Sequence, residues 1–258
     1  MQFQDKVVLV TGGSSGLGLA IAEELAGQGA SVVITGRRQE QLEQALSRLG
    51  SRAIAVVADV SVGADLARLF HEIKSRHGRI DVLVANAGMG EVAPLGSITE
   101  AYFDRVFSTN VKGVTFTVQG ALALMGKGSS IVIIGSTASI DPGPGLSVYG
   151  ATKAALRTLV KSWILDIKGS GVRINLLSPG PVDTDSLRNM LAEHAEEVIK
   201  SLSEKAPSGA SARPTKSLLR WPFWRVMQPA TSTASNCLLM VVRRRFSSRG
   251  GLPPFFCH

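Results

Sequence analysis

Six short apolar runs rich in β-branched residues set the frame of this chain: KVVLV (6–10), SVVIT (31–35), AIAVV (53–57), DVLVA (81–85), SIVIIG (130–135) and VRINLL (172–177). Between them lie stretches with helical spacing near 16–28, 38–49, 62–77, 99–125 and 147–169, and a weaker one near 185–205. A strand with one wet face alternates in polarity, whereas a strand covered on both faces reads as a continuous apolar run. These runs are continuous. Strand–helix units in series therefore predict an α/β fold, a doubly wound parallel sheet in a single domain with right-handed crossovers. In such a sheet ligands sit beyond the carboxyl ends of the strands, where the strand order reverses.

Charge divides the chain in two. Residues 1–206 hold 20 Lys and Arg against 20 Asp and Glu, while residues 207–258 hold 8 basic residues and no acid. Both cysteines, Cys237 and Cys257, also lie in the second part. The expected organisation is a domain over 1–206 that carries cofactor and catalytic groups, followed by an aberrant basic tail, disordered or poorly packed, over 207–258. A cysteine-free body suits a cytosolic enzyme without disulfides. No run of 18 apolar residues appears, and MQFQDKVVLVTGG is not a signal peptide, so a cytoplasmic protein without membrane contact is expected. Eight cations without an acid would give salt-dependent affinity for phosphates. RRR (243–245) is their one cluster, and no nucleic-acid partner is expected. His71, His77 and His194 lack metal-like spacing, so no metal site is expected.

The segment TGGSSGLG follows the first run directly and opens the first helix. Gly12 suits a tight turn, Gly16 lets backbone approach a pyrophosphate, and Gly18 permits close helix–strand packing; the helix N-terminus favours the phosphate charge. At the end of the second run an NAD site would place Asp or Glu for the ribose hydroxyls. Here Gly36 is followed by Arg37 and Arg38. Guanidinium forks pair with a 2′-phosphate, which favours NADP(H) over NAD(H); the same arginines also suit a solvated helix start.

In VYGATKAALRTL (148–159), Tyr149 precedes Lys153 by four residues. On a helix these positions are neighbours, and a cation beside a phenol lowers its pKa from about 10 toward neutrality. The phenol then trades a proton with a carbonyl or alcohol oxygen while hydride moves. Ser136, after the fifth run, offers a hydroxyl to the same oxygen. The plainer alternative is an amphipathic helix with a snorkelling lysine.

Taken in order and spacing, these segments resemble the short-chain dehydrogenase/reductase family over residues 5–206. The matching motifs are TGxxxGxG (Thr11 to Gly18), ADV with Asp59, NAG (Asn86 to Gly88), TN with Asn110, Ser136, Tyr149 with Lys153, and SPGPVDT (178–184). The resemblance implies a Rossmann-like fold and NADP(H)-dependent interconversion of a small-molecule carbonyl and a secondary alcohol. It implies Asn110, Ser136, Tyr149 and Lys153 as the catalytic set, with Asn110 keeping a water in the proton relay and Lys153 also holding the nicotinamide ribose. Cofactor contacts are implied at Thr11, Gly12, Ser14, Ser15, Gly16, Leu17, Gly18, Arg37, Arg38, Asp59, Val60, Asn86, Ala87, Gly88, Pro179, Gly180, Val182 and Thr184. Asp59 would meet the adenine, or cap the helix at 62–77. Thr184 would reach the nicotinamide carboxamide, or cap the next helix. The loop 89–98 and the segment 185–206 would form the substrate pocket, and a homotetramer is the implied assembly.

Past residue 206 the family pattern of a helix and a last strand ending in VDGG is not visible, so both elements are expected to be lost. The genetic code allows residues 213–248 to be recoded, one nucleotide out of frame, as such a helix and strand. The expectation is a frameshift near Pro214. That break would leave the last strand's edge bare, and it supports the alternative of a catalytically impaired binding or scaffold protein.

Overall fold

The computed structural model describes residues 2–191, 195–204 and 238–240. Its strands are β1 (Val7–Thr11), β2 (Ser31–Gly36), β3 (Ile54–Val57), β4 (Val82–Ala85), β5 (Ser130–Ile134), β6 (Arg173–Ser178) and β7 (Leu238–Met240). They form one parallel sheet in the order β3-β2-β1-β4-β5-β6-β7. The order reverses between β1 and β4, whose registers bring Thr11 beside Ala85 on one side and Thr35 on the other. The expected doubly wound parallel sheet is present.

Helices α1 (Gly16–Gly27), α2 (Gln39–Leu49), α3 (Gly63–His77), α4 (Glu100–Phe107), α5 (Val114–Leu122), α6 (Ser147–Asp166), α7 (Asp185–Leu191) and α8 (Ala195–Glu204) make up the rest of the regular structure. Each crossover helix buries one stripe: Leu42, Ala45 and Leu49 in α2, Leu66, Leu69 and Ile73 in α3. Gly78, at φ +71°, ends α3, and its N–H returns to the Ile73 and Lys74 carbonyls. Along β1 the pleat sends Val8 and Val10 into a cluster with Leu19, Leu25, Leu42 and Leu49. Leu9 goes to the opposite cluster with Leu69, Ile73, Val118 and Leu156. Two apolar layers thus sandwich the sheet, which explains why its strands read as unbroken apolar runs.

Two expectations change. The single helix over 99–125 is divided into α4, a π-helical turn at Ser108–Gly113, and α5. The wide turn carries Asn110, fully buried, and brings Gly113 so close to the loop after β3 that a Cβ there would stand 2.8 Å from Val60 Cγ2. The weak segment near 185–205 carries helix at Asp185–Leu191 and at Ala195–Glu204. The strand expected to be lost is present: Leu238–Met240 pairs in parallel with Leu176–Ser178 and covers the edge of β6. Backbone hydrogen bonding along a ladder is indifferent to which apolar side chains supply it, so Leu238–Met240 furnishes a strand without the expected VDGG pattern. The remainder of the basic tail, with its expected disorder, lies outside the described residues, as does His194.

Leu83, fully buried in β4, anchors the second apolar layer. Leu83→Ala is expected to destabilise the protein by about 3 kcal/mol, whereas Val57→Ala, on a 40 % exposed position of the edge strand β3, costs less than about 1 kcal/mol. Urea denaturation of the two variants beside the parent checks both values.

Candidate active site

The glycine loop closes as its spacing requires. Gly12 and Gly16 take positive φ, +64° and +54°. A Cβ on Gly18 would stand 2.2 Å from the Gly12 carbonyl oxygen and 2.5 Å from Asn86 Nδ2, so only glycine lets α1 press onto the loop. Gly13, which the spacing argument passed over, is equally confined: a Cβ would meet Ile34 Cγ2 at 2.7 Å. Ser15 precedes α1 in extended conformation without a side-chain cap, and no acid stands in the first turn. The backbone N–H groups at the start of this 12-residue helix thus receive no side-chain cap from Ser15.

The loop is fastened to the end of β4. Thr11 Oγ1 accepts hydrogen bonds from the backbone N–H groups of Asn86 and Ala87, both at 3.1 Å. Asn86 Nδ2 donates to the Thr11 and Gly12 carbonyls, each at 3.1 Å. The Asn86 amide thus binds its own chain. Thr184, after β6, lies across from the loop: a Cβ on Gly16 would be 3.5 Å from its side chain. Its hydroxyl accepts from Leu187 N at 3.2 Å, so the helix-capping role is realised at α7. Pro179 is held through its carbonyl, which accepts from Thr137 N at 3.0 Å. Gly180 and Val182 lie in the same stretch between β6 and α7.

Beyond β2, Gly36 abuts the glycine loop, where a Cβ would stand 3.1 Å from Ser14 Oγ. Arg37 and Arg38 are exposed, and among the described residues neither is paired with an acid. Asp59 does not cap α3, whose N-cap is Val62 without a side-chain bond. Its Oδ1 instead accepts from Ser61 N (2.9 Å) and Ser61 Oγ (2.7 Å), because the chain turns before the helix begins. Asp65 reaches back to Asp59 N at 2.8 Å. Val60 is buried beside Asp59.

Tyr149, Ser136, Lys153, Asn110 and Gly88 converge at the ends of β4 and β5. Ser136 ends the strand in extended conformation, accepts from Ala138 N at 3.1 Å, and shares a hydrogen bond with the Tyr149 hydroxyl. The first turn of α6 packs directly on this corner: a Cβ on Gly150 would lie 2.8 Å from the Ala138 carbonyl. Lys153 is buried, with its ammonium 5.7 Å from the Tyr149 ring centroid and donating to the Ile134 carbonyl at 2.9 Å. A Cβ on Gly88 would stand 3.3 Å from Asn110 Oδ1 and 3.4 Å from Lys153 Nζ. Asn110 Nδ2 donates to the Met89 carbonyl (2.7 Å) and Thr152 Oγ1 (3.1 Å), while its Oδ1 accepts from Met89 N at 2.8 Å. Thr152 in turn donates to the Tyr149 carbonyl at 2.7 Å. Sequence spacing gave no sign of Thr152, which links Asn110 to the backbone of the tyrosine.

The electrostatics correct one expectation. Burial pushes the Tyr149 phenol above its usual 10, and the Ser136 hydrogen bond opposes that rise. The Lys153 ammonium does not pull it down, because it faces the Ile134 carbonyl and the ring rather than the hydroxyl. Burial instead lowers Lys153 itself, from 10.5 to about 8.

Two residues missed by spacing complete the site. A Cβ on Gly90 would stand 2.7 Å from Tyr149 Cδ2 and 3.3 Å from Met190 Sδ, so the loop after β4 packs against both the ring and helix α7. Among the described residues no cluster of His, Cys, Asp or Glu suits a metal ion, and no helix is long and apolar enough to cross a membrane.

Known proteins carry the same pattern. The short chain dehydrogenase family model matches residues 6–195. The oxidoreductase asL5 of Sarocladium schorii is 42 % identical over 211 residues, 81 % of this chain and 84 % of that protein. A hydroxynaphthalene reductase-like protein, Arp2 of Metarhizium guizhouense, is 34 % identical over the same two shares. A short-chain dehydrogenase/reductase from Brucella melitensis superposes with a TM-score of 0.83 at 27 % identity, over 93 % of this chain and 96 % of that one. One from Burkholderia cenocepacia, solved in complex with NADP, superposes at 0.79 and 30 % identity, over 89 % and 93 %. With its glycine loop at the switch point and its Ser136–Tyr149 pair above a buried lysine, the chain belongs to the short-chain dehydrogenase family, an NAD(P)-dependent oxidoreductase acting on CH–OH groups.

Proposed function

We propose that this protein is an NADP(H)-dependent oxidoreductase interconverting a carbonyl and a secondary alcohol, with Tyr149 as general acid/base. The observation that carries the reading is the Ser136–Tyr149 hydrogen bond set over the buried Lys153 ammonium.

The residues present fit a dinucleotide. Uncapped N–H groups at the start of α1 and the cradle that a Gly18 Cβ would fill suit a pyrophosphate, held by Gly12, Ser14, Ser15, Gly16 and Leu17. Arg37 and Arg38, exposed, without an acidic partner among the described residues and following Gly36 at Ser14, suit a 2′-phosphate. The solved relative bound to NADP supports the same preference. Asp59 and Val60 would flank the adenine, Ala87, Gly88 and Lys153 the nicotinamide ribose, and Pro179, Gly180, Val182 and Thr184 the nicotinamide.

When bound, the nicotinamide supplies a hydride to a carbonyl carbon or accepts one from an alcohol. Tyr149 gives its phenolic proton to the carbonyl oxygen as the C=O bond opens, and takes it back in the reverse direction. Ser136 offers its hydroxyl to the same oxygen by turning its one proton from Tyr149 to the bound substrate. The raised phenol is protonated at neutral pH, the form that reduction needs. Lys153 keeps its ammonium beneath the ring, fixed by the Ile134 carbonyl, where it would hold the nicotinamide ribose. Asn110 and Thr152 fix the backbone of α6 at Tyr149.

Tyr149→Phe is expected to lower kcat at least about 10³-fold while NADPH affinity, read by fluorescence, stays within about threefold. Residual turnover within tenfold of the parent would refute the acid/base role. Replacing Arg37 and Arg38 together by Ser should raise the KM for NADPH at least tenfold, or about 1.4 kcal/mol, and leave that for NADH within about twofold. Steady-state kinetics with both cofactors measures this; equal effects would remove the case for NADP(H). Lys153, held near 8 in the fold against 10.5 unfolded, makes the unfolded chain bind more protons between those pH values. The parent's Tm should therefore rise relative to Lys153→Met from pH 8 to pH 10.5, and the difference should be flat below pH 8. A thermal-unfolding series without cofactor reads that slope.

A further inference from the structure

We propose that Tyr102 is a positioning residue for the reaction: its hydroxyl pins Glu91, so that Gly90 is held against the Tyr149 ring and fixes where the phenol stands. The inference rests on the acid/base reading of Tyr149 above and adds a residue that acts through the backbone between the two tyrosines.

The phase of α4 brings Tyr102 to this place. Thr99 caps the helix by accepting from Tyr102 N at 3.2 Å, and Tyr102 and Val106, one turn apart, are both buried. Their apolar cluster takes in Val148, the residue before Tyr149, with Met89 and Ala93 of the loop after β4 packed against it. A phenol buried in such a cluster needs a partner for its hydroxyl. Tyr102 finds two on one residue: it donates to the Glu91 carbonyl at 2.8 Å and accepts from Glu91 N at 3.4 Å.

Gly90 therefore lies between two reciprocal clamps. On one side Asn110 donates to the Met89 carbonyl at 2.7 Å and accepts from Met89 N at 2.8 Å. On the other side Tyr102 treats Glu91 in the same way. A glycine has no side chain to anchor it, so its neighbours place it, and its backbone turns freely where one of them lets go. With both held, Gly90 sits so near the catalytic ring that a Cβ would stand 2.7 Å from Tyr149 Cδ2 and 3.1 Å from Cγ. Ser136 holds the hydroxyl end of that ring and Gly90 its Cγ–Cδ2 end, which together set its position and tilt. A reacting group moved by about 1 Å can lose on the order of 10²-fold in rate, so a stop of this kind matters to the chemistry. The Glu91–Arg105 ion pair is about half exposed at both partners and adds little to the hold. The next backbone tie, from Ala93 N to the Gly145 carbonyl at 2.9 Å, lies three residues beyond Gly90.

Tyr102 and Tyr149 are the two tyrosines of the chain, so the full protein labelled with carbon-13 at tyrosine Cζ gives one signal for each, and Tyr102→Phe retains that of Tyr149 alone. At pH 7, Gly90→Ala is expected to move the Tyr149 signal at least twice as far in the parent as in Tyr102→Phe, where the released loop backs away from the ring. In a titration without cofactor, Tyr102→Phe should lower the Tyr149 midpoint by at least about 0.5 pH unit toward the usual 10, because water reaches the ring. Lys153 is the titratable group that faces the ring, and Ser136, Gly90 and Met190 meet this corner with uncharged groups, so the shift reads desolvation. Arg105→Ala should leave the midpoint within about 0.2 pH unit. The phenylalanine keeps the buried ring, and a Tm within about 3 °C of the parent shows that the variant is folded. Equal movement of the signal in both backgrounds, a midpoint unmoved in Tyr102→Phe, or an equal drop in Arg105→Ala overturns the clamp and leaves the acid/base reading standing. Turnover by Tyr149→Phe within tenfold of the parent overturns the acid/base reading, and the positioning role with it, even where the signals move as expected.

Discussion

The clasp between Thr11 and Asn86 is the interaction on which the rest of the site depends. At the switch point β1 and β4 lie side by side while their following helices leave on opposite faces, so a crevice opens between two loops. Nothing in the sheet's own ladder fixes those loops. The Thr11 hydroxyl does so by accepting two backbone N–H groups from the end of β4, and the Asn86 amide by donating to two carbonyls of the glycine loop. Gly18 must then be bare, because the clasp brings Asn86 Nδ2 and the Gly12 carbonyl into the space a side chain would occupy. One polar cross-link thus sets the loop, and the loop sets where α1 presents its N–H groups.

From the same strand ends the order extends to the tyrosine. Gly88 is narrow enough to sit against both Asn110 and Lys153, and Asn110 couples the loop after β4 to α6 through Thr152. A buried ammonium carries a desolvation cost that no ion pair offsets among the described residues; one backbone carbonyl and the face of one ring are its compensation. Such a group is poor for stability. Its place beneath the Tyr149 ring is kept at that cost, and the lowered pKa is the physical trace of the burial.

How much of this was legible in the chain follows from which forces act at short range. Continuous apolar runs, the positive-φ glycines Gly12 and Gly16, and the i, i+4 spacing of Tyr149 and Lys153 are local, and they pointed to the right sheet, loop and helix. Gly13, Gly90 and Thr152 were invisible because their meaning lies in contacts with Ile34, with Met190 and with Asn110, each far away in sequence. The direction of the Tyr149 shift was misjudged for the same reason. Helical adjacency brings Lys153 near the ring, but the Ile134 carbonyl, on another strand, decides where the ammonium points. Asp59 was read as a cap because its spacing allowed it, and Ser61 proved the nearer donor.

The far edge of the sheet shows how little sequence a parallel strand requires. The tail's composition departs from that of the body, and a recoded C-terminus implied a bare β6. Yet Leu238–Met240 lies in register with Leu176–Ser178. A ladder is built from peptide groups, and an apolar triplet able to reach an open edge satisfies it whether or not its side chains were selected for the place. Side-chain identity matters where packing and chemistry are specific, and every residue assigned to the glycine loop, the Ser136–Tyr149 corner and the Lys153 cavity precedes residue 207. The fold's tolerance and the site's demands therefore fall on different parts of the chain. The crevice does not depend on the C-terminal stretch, because the clasp at Thr11 and Asn86 is made by the body alone.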